Sequence, residues 1–226
     1  MTRGSAIIAA AKRSGAFAVP VLRLGLPALC AVLFAALLGA PAPAQSPAEE
    51  EQMISLKGRM LVTTKKLHDP NFREAVVFML EHKPEGAFGL VINRPLGEMT
   101  HADLLEKLGI TGEAGEGKLR IFSGGPVGQD EGYLLHSSEK LFETSKAIGE
   151  GFAVSAPEEV LAHVGRGEGP AEALLIFGYA GWSAGQLDSE MAAGAWEHVE
   201  ADAEIIFDEE VASKWQRAIG LVTIDL

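Results

Sequence analysis

The sequence predicts an α+β fold built as a single domain. Short apolar runs of the kind that form strands cluster early in the body of the chain, and helical patterns follow at irregular intervals instead of alternating with the strands. The 226 residues are 47% hydrophobic and 22% charged, which is close to the average for globular domains and sufficient for a core. The body carries no internal repeat, so we expect one domain over residues 56–226.

The first 44 residues have the order of a secretory signal peptide. Basic residues precede an uncharged apolar run at 26–39, and small residues end in Ala42-Pro43-Ala44 before Gln45. A spanning helix needs about 20 apolar residues, and this run is shorter. We expect cleavage near Ala44 and a periplasmic or secreted protein; an uncleaved anchor and a misassigned gene start are the alternatives. Residues 45–55, which begin with a stretch rich in Pro, Ala and Glu, are predicted to be a linker.

Charge and cysteine content exclude several functional classes. The chain has 31 acidic and 19 basic residues, and four of the basic residues precede residue 45, where no acidic residue occurs. An acidic body repels nucleic-acid phosphate and anionic lipid, so we expect no direct nucleic-acid binding and membrane contact only through an uncleaved N-terminal segment. Cys30 is the only cysteine. A chain cut near Ala44 therefore has neither a disulfide nor a thiolate metal site.

Strands are predicted first along the body. Residues 59–63 form one, and the β-rich runs 75–80 and 86–92 flank a short Pro-containing segment, which predicts a hairpin. Further strands are predicted at 118–122, 132–136, 151–154 and 204–207. The most apolar segment, 173–179, is predicted to be a central strand.

Four helices are predicted from capping and periodicity. Thr100 is a candidate N-cap for a helix that extends to Leu108, and Gly109 ends it. Pro157 stands in the first turn of a second helix, which continues to about residue 164, because a missing N–H is harmless there. The last two are predicted at 186–196 and 209–219.

Several separated motifs, in a fixed order, resemble the AlgH/YqgE family over almost all of residues 56–226. They include Asp69-Pro70-Asn71-Phe72, Gly86-Ala87-Phe88-Gly89-Leu90-Val91-Ile92-Asn93-Arg94-Pro95, Ser123-Gly124-Gly125-Pro126-Val127, Leu135-His136 and Gly178-Tyr179-Ala180-Gly181-Trp182-Ser183-Ala184-Gly185-Gln186-Leu187. The resemblance implies a bifurcated, partly barrel-like, mainly antiparallel sheet flanked by helices. It also implies a cytoplasmic location, which is the alternative to export. Members of the family are often labelled transcriptional regulators, so the resemblance implies that role as well.

One enzyme hypothesis rests on Ser183. The segment 181–185 fits G-x-S-x-G, the nucleophile elbow of α/β-hydrolases, and lies between a predicted strand and a predicted helix. His198 is the one histidine that follows it and is the candidate base. The chain after Ser183 is too short for the elements that usually carry such partners, so a tight turn is the favoured interpretation and we assign no catalytic residue.

Six residues are candidate ligand-binding residues. Arg94, in a loop after a strand beside Asn93, has a guanidinium that suits a carboxylate or phosphate, although a structural ion pair is the alternative. Gly124 and Gly125 offer backbone amides to an anion, but no Lys-Ser/Thr follows, which excludes a P-loop. His136 and Gln186 complete the set.

The sequence therefore predicts a non-enzymatic binding or regulatory domain with an unknown protein or small-molecule partner. No cofactor or metal is expected, since the six histidines lack metal-ligand spacing. The alternatives are a serine hydrolase that uses Ser183 and a cytoplasmic transcriptional regulator.

Overall fold

The computed structural model describes residues 54–222. The signal-like segment 1–44 and most of the predicted linker lie outside these residues. Within the described part, ten strands and five α-helices alternate irregularly. The strands are β1 (Arg59–Thr63), β2 (Val76–Lys83), β3 (Gly86–Val91), β4 (Pro95–Thr100), β5 (Lys118–Ser123), β6 (Val127–Ser137), β7 (Lys146–Ala147), β8 (Phe152–Ser155), β9 (Ala173–Ser183) and β10 (Trp196–Glu200). The helices are α1 (His101–Leu108), α2 (Pro157–Val164), α3 (Gln186–Ala192), α4 (Ala203–Ile206) and α5 (Lys214–Gly220), with 3-10 turns at Pro70–Phe72 and Val211–Ser213.

The strands form one curled, half-barrel sheet that forks at β9, which confirms the predicted α+β class and the bifurcated, mainly antiparallel sheet. The main path runs β10-β1-β2-β3-β9-β6-β8-β7. The C-terminal half of β9 pairs antiparallel with β3, whereas its N-terminal half pairs parallel with β5, which carries β4. β6 pairs with the other edge of β9. The segment predicted to be a central strand is therefore the branch point of the sheet.

Both faces of the sheet are covered. Neighbouring residues of β1 and β2 alternate between two clusters, so that Met60 and Phe78 pack in one while Leu61 and Val77 pack in the other. A third cluster joins α1 and α2 to β5, β6 and β9. A strand that is buried on both faces has a continuous apolar sequence. This explains why the runs at 75–80 and 173–179 show no polar alternation.

Local capping chemistry confirms two predicted helices closely. The Thr100 hydroxyl accepts the Asp103 amide at 3.1 Å, and Gly109 ends α1 in the left-handed region with φ 66°. Pro157 occupies the first turn of α2 as predicted. The hairpin of β2 and β3 is also confirmed, although β2 extends to Lys83.

Several predicted elements are wrong in type or extent, and β9 extends four residues beyond the predicted strand, to Ser183. Residues 204–207 are not a strand: α4 spans most of them, because the Asp202 carboxylate accepts the amides of Glu204 and Ile205 at 2.8 and 3.3 Å. The helix predicted over 186–196 ends at Ala192, and Trp196 begins β10, which pairs with β1. The last helix starts at Lys214, after a 3-10 turn. β6 begins five residues earlier than the predicted strand. Strands β4, β7 and β10 were not predicted.

Candidate functional site

Two glycines allow the sheet to fork. A Cβ on Gly124 would lie 2.2 Å from the carbonyl oxygen of Gly178, which itself has φ 76°. The Gly124 amide donates to Phe177 O at 2.8 Å, and its carbonyl accepts the Val91 amide at 2.9 Å. Since both backbone groups are used inside the fold, the proposed anion cradle is not formed by Gly124. The motif serves close approach of two strands.

Asn93 also has a structural task. Its side chain is buried (9% exposed), its Oδ1 accepts the Val76 amide at 3.0 Å, and its Nδ2 donates to Glu74 O at 2.7 Å. Glu74 has φ 50°, the one positive value outside glycine in the described residues. Asn93 therefore stabilises a loop that holds an unfavourable backbone conformation, and its amide is not available to a ligand.

Arg94 is held in place by backbone carbonyls. One Nη donates to Arg73 O and the other to Asn93 O at 3.3 Å. A guanidinium has five N–H groups, so three carry no hydrogen bond to the described residues. Burial lowers the pKa of Arg94, and the Glu74 carboxylate acts in the opposite direction. No carboxylate among residues 54–222 lies within ion-pair distance of it.

Arg94 faces a concave site at the fork that we call the fork pocket. It has a volume of about 320 Å³ and unites three segments that are distant in sequence. Its lining consists of Asn71, Val91, Arg94, Pro95, Leu96, Ser123, Gly125, Pro126 and Gln129. Of the predicted candidates, Arg94 and Gly125 are brought together here, and Asn93 and Gly124 support the walls. Sequence reasoning missed Asn71, Ser123 and Gln129 as polar lining residues.

His136 lies elsewhere, in the core. Its side chain has no exposed surface. Its Nε2 lies 2.8 Å from Ser155 Oγ and its Nδ1 lies 2.9 Å from Ser137 O. Burial lowers the pKa of His136, and the Ser137 carbonyl opposes that shift. A neutral imidazole with both nitrogens engaged is a structural residue, so the ligand role predicted for His136 finds no geometric support.

The structure does not bring Ser183 and His198 together. Ser183 Oγ donates to Gln186 Oε1 at 3.1 Å. His198 lies on β10, which β1, β2 and β3 separate from β9 in the sheet, and its Nδ1 lies 2.8 Å from an Nη of Arg59. Burial and the Arg59 charge lower the pKa of His198. Ser183 is the last residue of β9, and Ala184 and Gly185 form the turn into α3. The hydrolase alternative, for which the sequence assigned no catalytic residue, gains no geometric support.

Gln186 belongs to a network that sequence reasoning missed. Its Nε2 donates to Glu190 Oε1 at 2.9 Å, and Glu190 Oε2 accepts the indole N–H groups of Trp182 and Trp196 at 3.0 and 2.8 Å. The two indole rings contact each other edge to face with centroids 5.6 Å apart. The carboxylate thus ties α3 to two strands, which gives Gln186 a structural partner.

Residues 54–222 offer neither a metal-binding cluster nor a membrane-spanning helix. No group of three His, Cys, Asp or Glu side chains is arranged to hold a metal ion. No helix in the same range has the length and apolar character needed to cross a membrane.

Comparison with known proteins identifies the family. A family model described as AlgH-like matches residues 60–226. A protein of Paracoccus denitrificans is 39% identical over 178 residues, which cover 77% of this chain and 94% of that protein. YqgE of Escherichia fergusonii is 36% identical over 177 residues, covering 76% of this chain and 95% of its own.

Solved structures agree with this assignment. The solution structure of AlgH from Pseudomonas aeruginosa has a TM-score of 0.63 at 34% identity and is matched over 79% of this chain and 94% of that chain. A crystal structure of a protein from Corynebacterium diphtheriae, with a TM-score of 0.57 at 16% identity over 74% of this chain and 87% of that chain, shares the fold. None of these names states an activity, a ligand or a partner.

Proposed function

We infer that this chain, which belongs to the AlgH-like family, is a non-enzymatic binding domain whose fork pocket takes a small anion. The observation that carries the proposal is Arg94: a half-buried guanidinium with three unused N–H groups at the wall of a pocket of about 320 Å³. A cation that is partly removed from water and lacks a carboxylate partner gains most from an anionic ligand.

The neighbours of Arg94 suit a ligand with a carboxylate or phosphate group and an apolar part. Ser123 offers a hydroxyl, and Asn71 and Gln129 offer amides, as hydrogen-bonding groups on the same pocket. Leu96, which is 53% exposed, supplies an apolar surface beside them. Such a mixture of few polar groups and apolar walls is typical of small-molecule sites.

Pre-organisation supports binding at this place. The carbonyls of Arg73 and Asn93 fix two guanidinium nitrogens before a ligand arrives, so little side-chain entropy is lost on binding. Gly125 belongs to the same wall, and its backbone lies against that of Tyr179 on β9. A binding function also agrees with the separation of Ser183 from His198, because a hydrolase needs that pair within hydrogen-bond reach.

Titration of the full chain with inorganic phosphate and with succinate, followed by amide NMR shifts, tests the pocket. We expect shifts centred on Ser123 and Gly125, and about tenfold weaker binding in Arg94→Gln. Arg166→Gln, which removes an exposed guanidinium outside the fork pocket, is the matched control. Retained folding is checked from the thermal midpoint of each variant. The proposal fails if neither anion shifts these amides, or if both variants lose affinity equally.

A fluorophosphonate probe separates this proposal from the hydrolase alternative. Labelling at Ser183 that disappears in Ser183→Ala would favour an enzyme. We expect no labelling, since the described structure places no imidazole in hydrogen-bond contact with the Ser183 hydroxyl.

We also propose that the chain is exported, which rests on the order of basic, apolar and small residues at 1–44. Mass spectrometry of the mature N-terminus in each cell fraction tests this. A start near Gln45 in the periplasmic fraction supports export and is incompatible with a regulator of chromosomal DNA. An intact Met1 end in the cytoplasm refutes it.

A further inference from the structure

A second cavity lies between the β2–β3 hairpin and the β6–β8 part of the sheet. Its volume is about 370 Å³, at the small end of the range for small-molecule sites. No residue lines both this cavity and the fork pocket. Lys57 and Lys146 stand at its rim, and we call it the lysine-rimmed cavity.

The wall of the cavity is largely apolar. Leu80 and Ile148 are each only 5% exposed and belong to the main core cluster, and Phe88 and Val154 pack against that cluster while remaining partly exposed. Partly exposed apolar side chains in a concave site favour a ligand that displaces water from them. The wall therefore suits a short apolar chain.

The neutral and acidic polar groups of the cavity are already engaged. This leaves them with little capacity to select a polar ligand. The pairs are Tyr133 with Glu131 (2.9 Å), Ser155 with His136 (2.8 Å), Thr144 with Glu159, and Glu81 with Lys83 (2.7 Å).

The two rim lysines differ from these groups. Both are exposed, and no carboxylate among residues 54–222 lies within 4.0 Å of either ammonium group, whereas Lys83 and Lys118 each have one. The net charge of −12 repels anions at long range, so attraction of an anion has to come from positive charges at the cavity itself. Two unpaired ammonium groups at one apolar cavity attract a negative head group.

We propose that the lysine-rimmed cavity binds a small amphiphile with one anionic head group and a short apolar chain, as in a medium-chain carboxylate. The chain packs against Leu80, Phe88 and Val154, and the carboxylate pairs with Lys57 and Lys146. This site is independent of the small-anion site at Arg94.

Calorimetric titration of the full chain, purified without detergent, with octanoate and with octanol tests the proposal. Octanoate should bind, and the double variant Lys57→Gln/Lys146→Gln should weaken octanoate about tenfold while leaving octanol unchanged. Added salt should weaken octanoate and not octanol, because exposed charges are screened. Val154→Trp, which fills the cavity, should weaken both probes.

Lys65→Gln/Lys107→Gln is the charge-matched control, since both are exposed lysines that line neither pocket. The proposal is overturned if octanoate does not bind, if this control pair weakens it as much as Lys57→Gln/Lys146→Gln does, or if Lys57→Gln/Lys146→Gln weakens octanol and octanoate equally. Loss of octanoate binding in Arg94→Gln, with the double variant unaffected, would place octanoate in the fork pocket and overturn it as well.

Discussion

Lys214 makes the stability of the fold depend on pH in a defined window. Its side chain has no exposed surface. The ammonium donates to Ile206 O at 2.6 Å and to Ile92 O at 3.4 Å, and it lies 5.4 Å from the centroid of the Phe122 ring. These two carbonyl oxygens and the aromatic ring compensate only in part for the hydration that the ammonium group loses on burial. Burial, joined by the charges of Arg120 and Arg217 and opposed by Asp208, lowers the pKa of Lys214 to about 7.

The direction of the effect follows from proton binding. Between pH 7 and about 10.5, the unfolded chain holds a proton on Lys214 that the folded protein has released, so the free energy of unfolding rises with pH. The slope approaches about 1.4 kcal/mol per pH unit and sums to roughly 5 kcal/mol over the window. Below pH 7 both states are protonated and the full cost of burying the charge applies. Above about pH 10.5 neither state is charged and the cost vanishes.

Lys214→Met isolates this contribution, because methionine keeps an unbranched chain and does not titrate. Urea unfolding of both proteins is measured at steps from pH 7 to pH 10. As the pH falls, the free energy of unfolding of the wild type should decrease relative to that of the variant, by about 1.4 kcal/mol per pH unit at the steepest point. Loss of the hydrogen bond to Ile206 O lowers the free energy of unfolding of the variant by about 1–3 kcal/mol at every pH. Lys107→Met changes an exposed lysine, so its free energy of unfolding should depend on pH as that of the wild type does. Parallel curves for wild type and Lys214→Met would refute the reasoning.

Two further predictions concern stability. Thr100→Ala removes the hydroxyl that accepts the Asp103 amide and should lower the free energy of unfolding in urea by about 1 kcal/mol. Thr100→Ser keeps a hydroxyl and should be destabilised much less. Equal destabilisation by the two variants would exclude the cap as the cause. Gly124→Ala would place a methyl group 2.2 Å from Gly178 O and should lower the free energy of unfolding by about 3 kcal/mol in the same assay. Gly112→Ala, whose Cβ meets nothing within 4 Å, is the control and should change it little. An unaffected Gly124→Ala would mean that the strands at the fork can separate.

Elements whose ends are set by neighbouring residues were predictable from the sequence. Thr100 and Gly109 bound α1 by capping, and Pro157 marks the start of α2. Each of these signals depends only on residues within a few positions of the helix end, so it can be recognised without knowing the tertiary structure. The β2–β3 hairpin belongs to the same class, because the two runs and the turn between them are contiguous.

Elements that depend on distant pairing were not predictable. Trp196 continues a helical pattern in the sequence, but its backbone pairs with Thr63 of β1, a partner more than 130 residues away. A short apolar run such as 204–207 fits a strand or a buried helix equally well until the Asp202 cap decides. β4 carries exposed residues at an edge, begins at Pro95, and lacks the apolar alternation that announces a strand.

The candidate sites divide in the same way. The sequence singled out Arg94 because a guanidinium after a strand is a local signal, and it found Gly125 through its motif. Ser123 and Asn71 belong to family motifs but were not identified as pocket residues, and Gln129 carries no local signal. The lysine-rimmed cavity is drawn from segments near residues 57, 81, 133 and 146, and no motif connects them. Only the curl of the sheet brings them together.

Hydrogen-bond completeness separates structural from ligand-binding residues in this chain. Asn93, His136 and Gln186 have polar atoms whose partners lie inside the fold, so a ligand would have to break those contacts and repay their loss. Arg94 and the rim lysines retain donors that no described residue satisfies. The unused N–H groups of Arg94 are not buried, so they face the solvent of the fork pocket, where a ligand can supply acceptors that are fixed in place of water. For that reason Arg94, rather than the histidines or Ser183, is the residue from which the function of this domain is best approached.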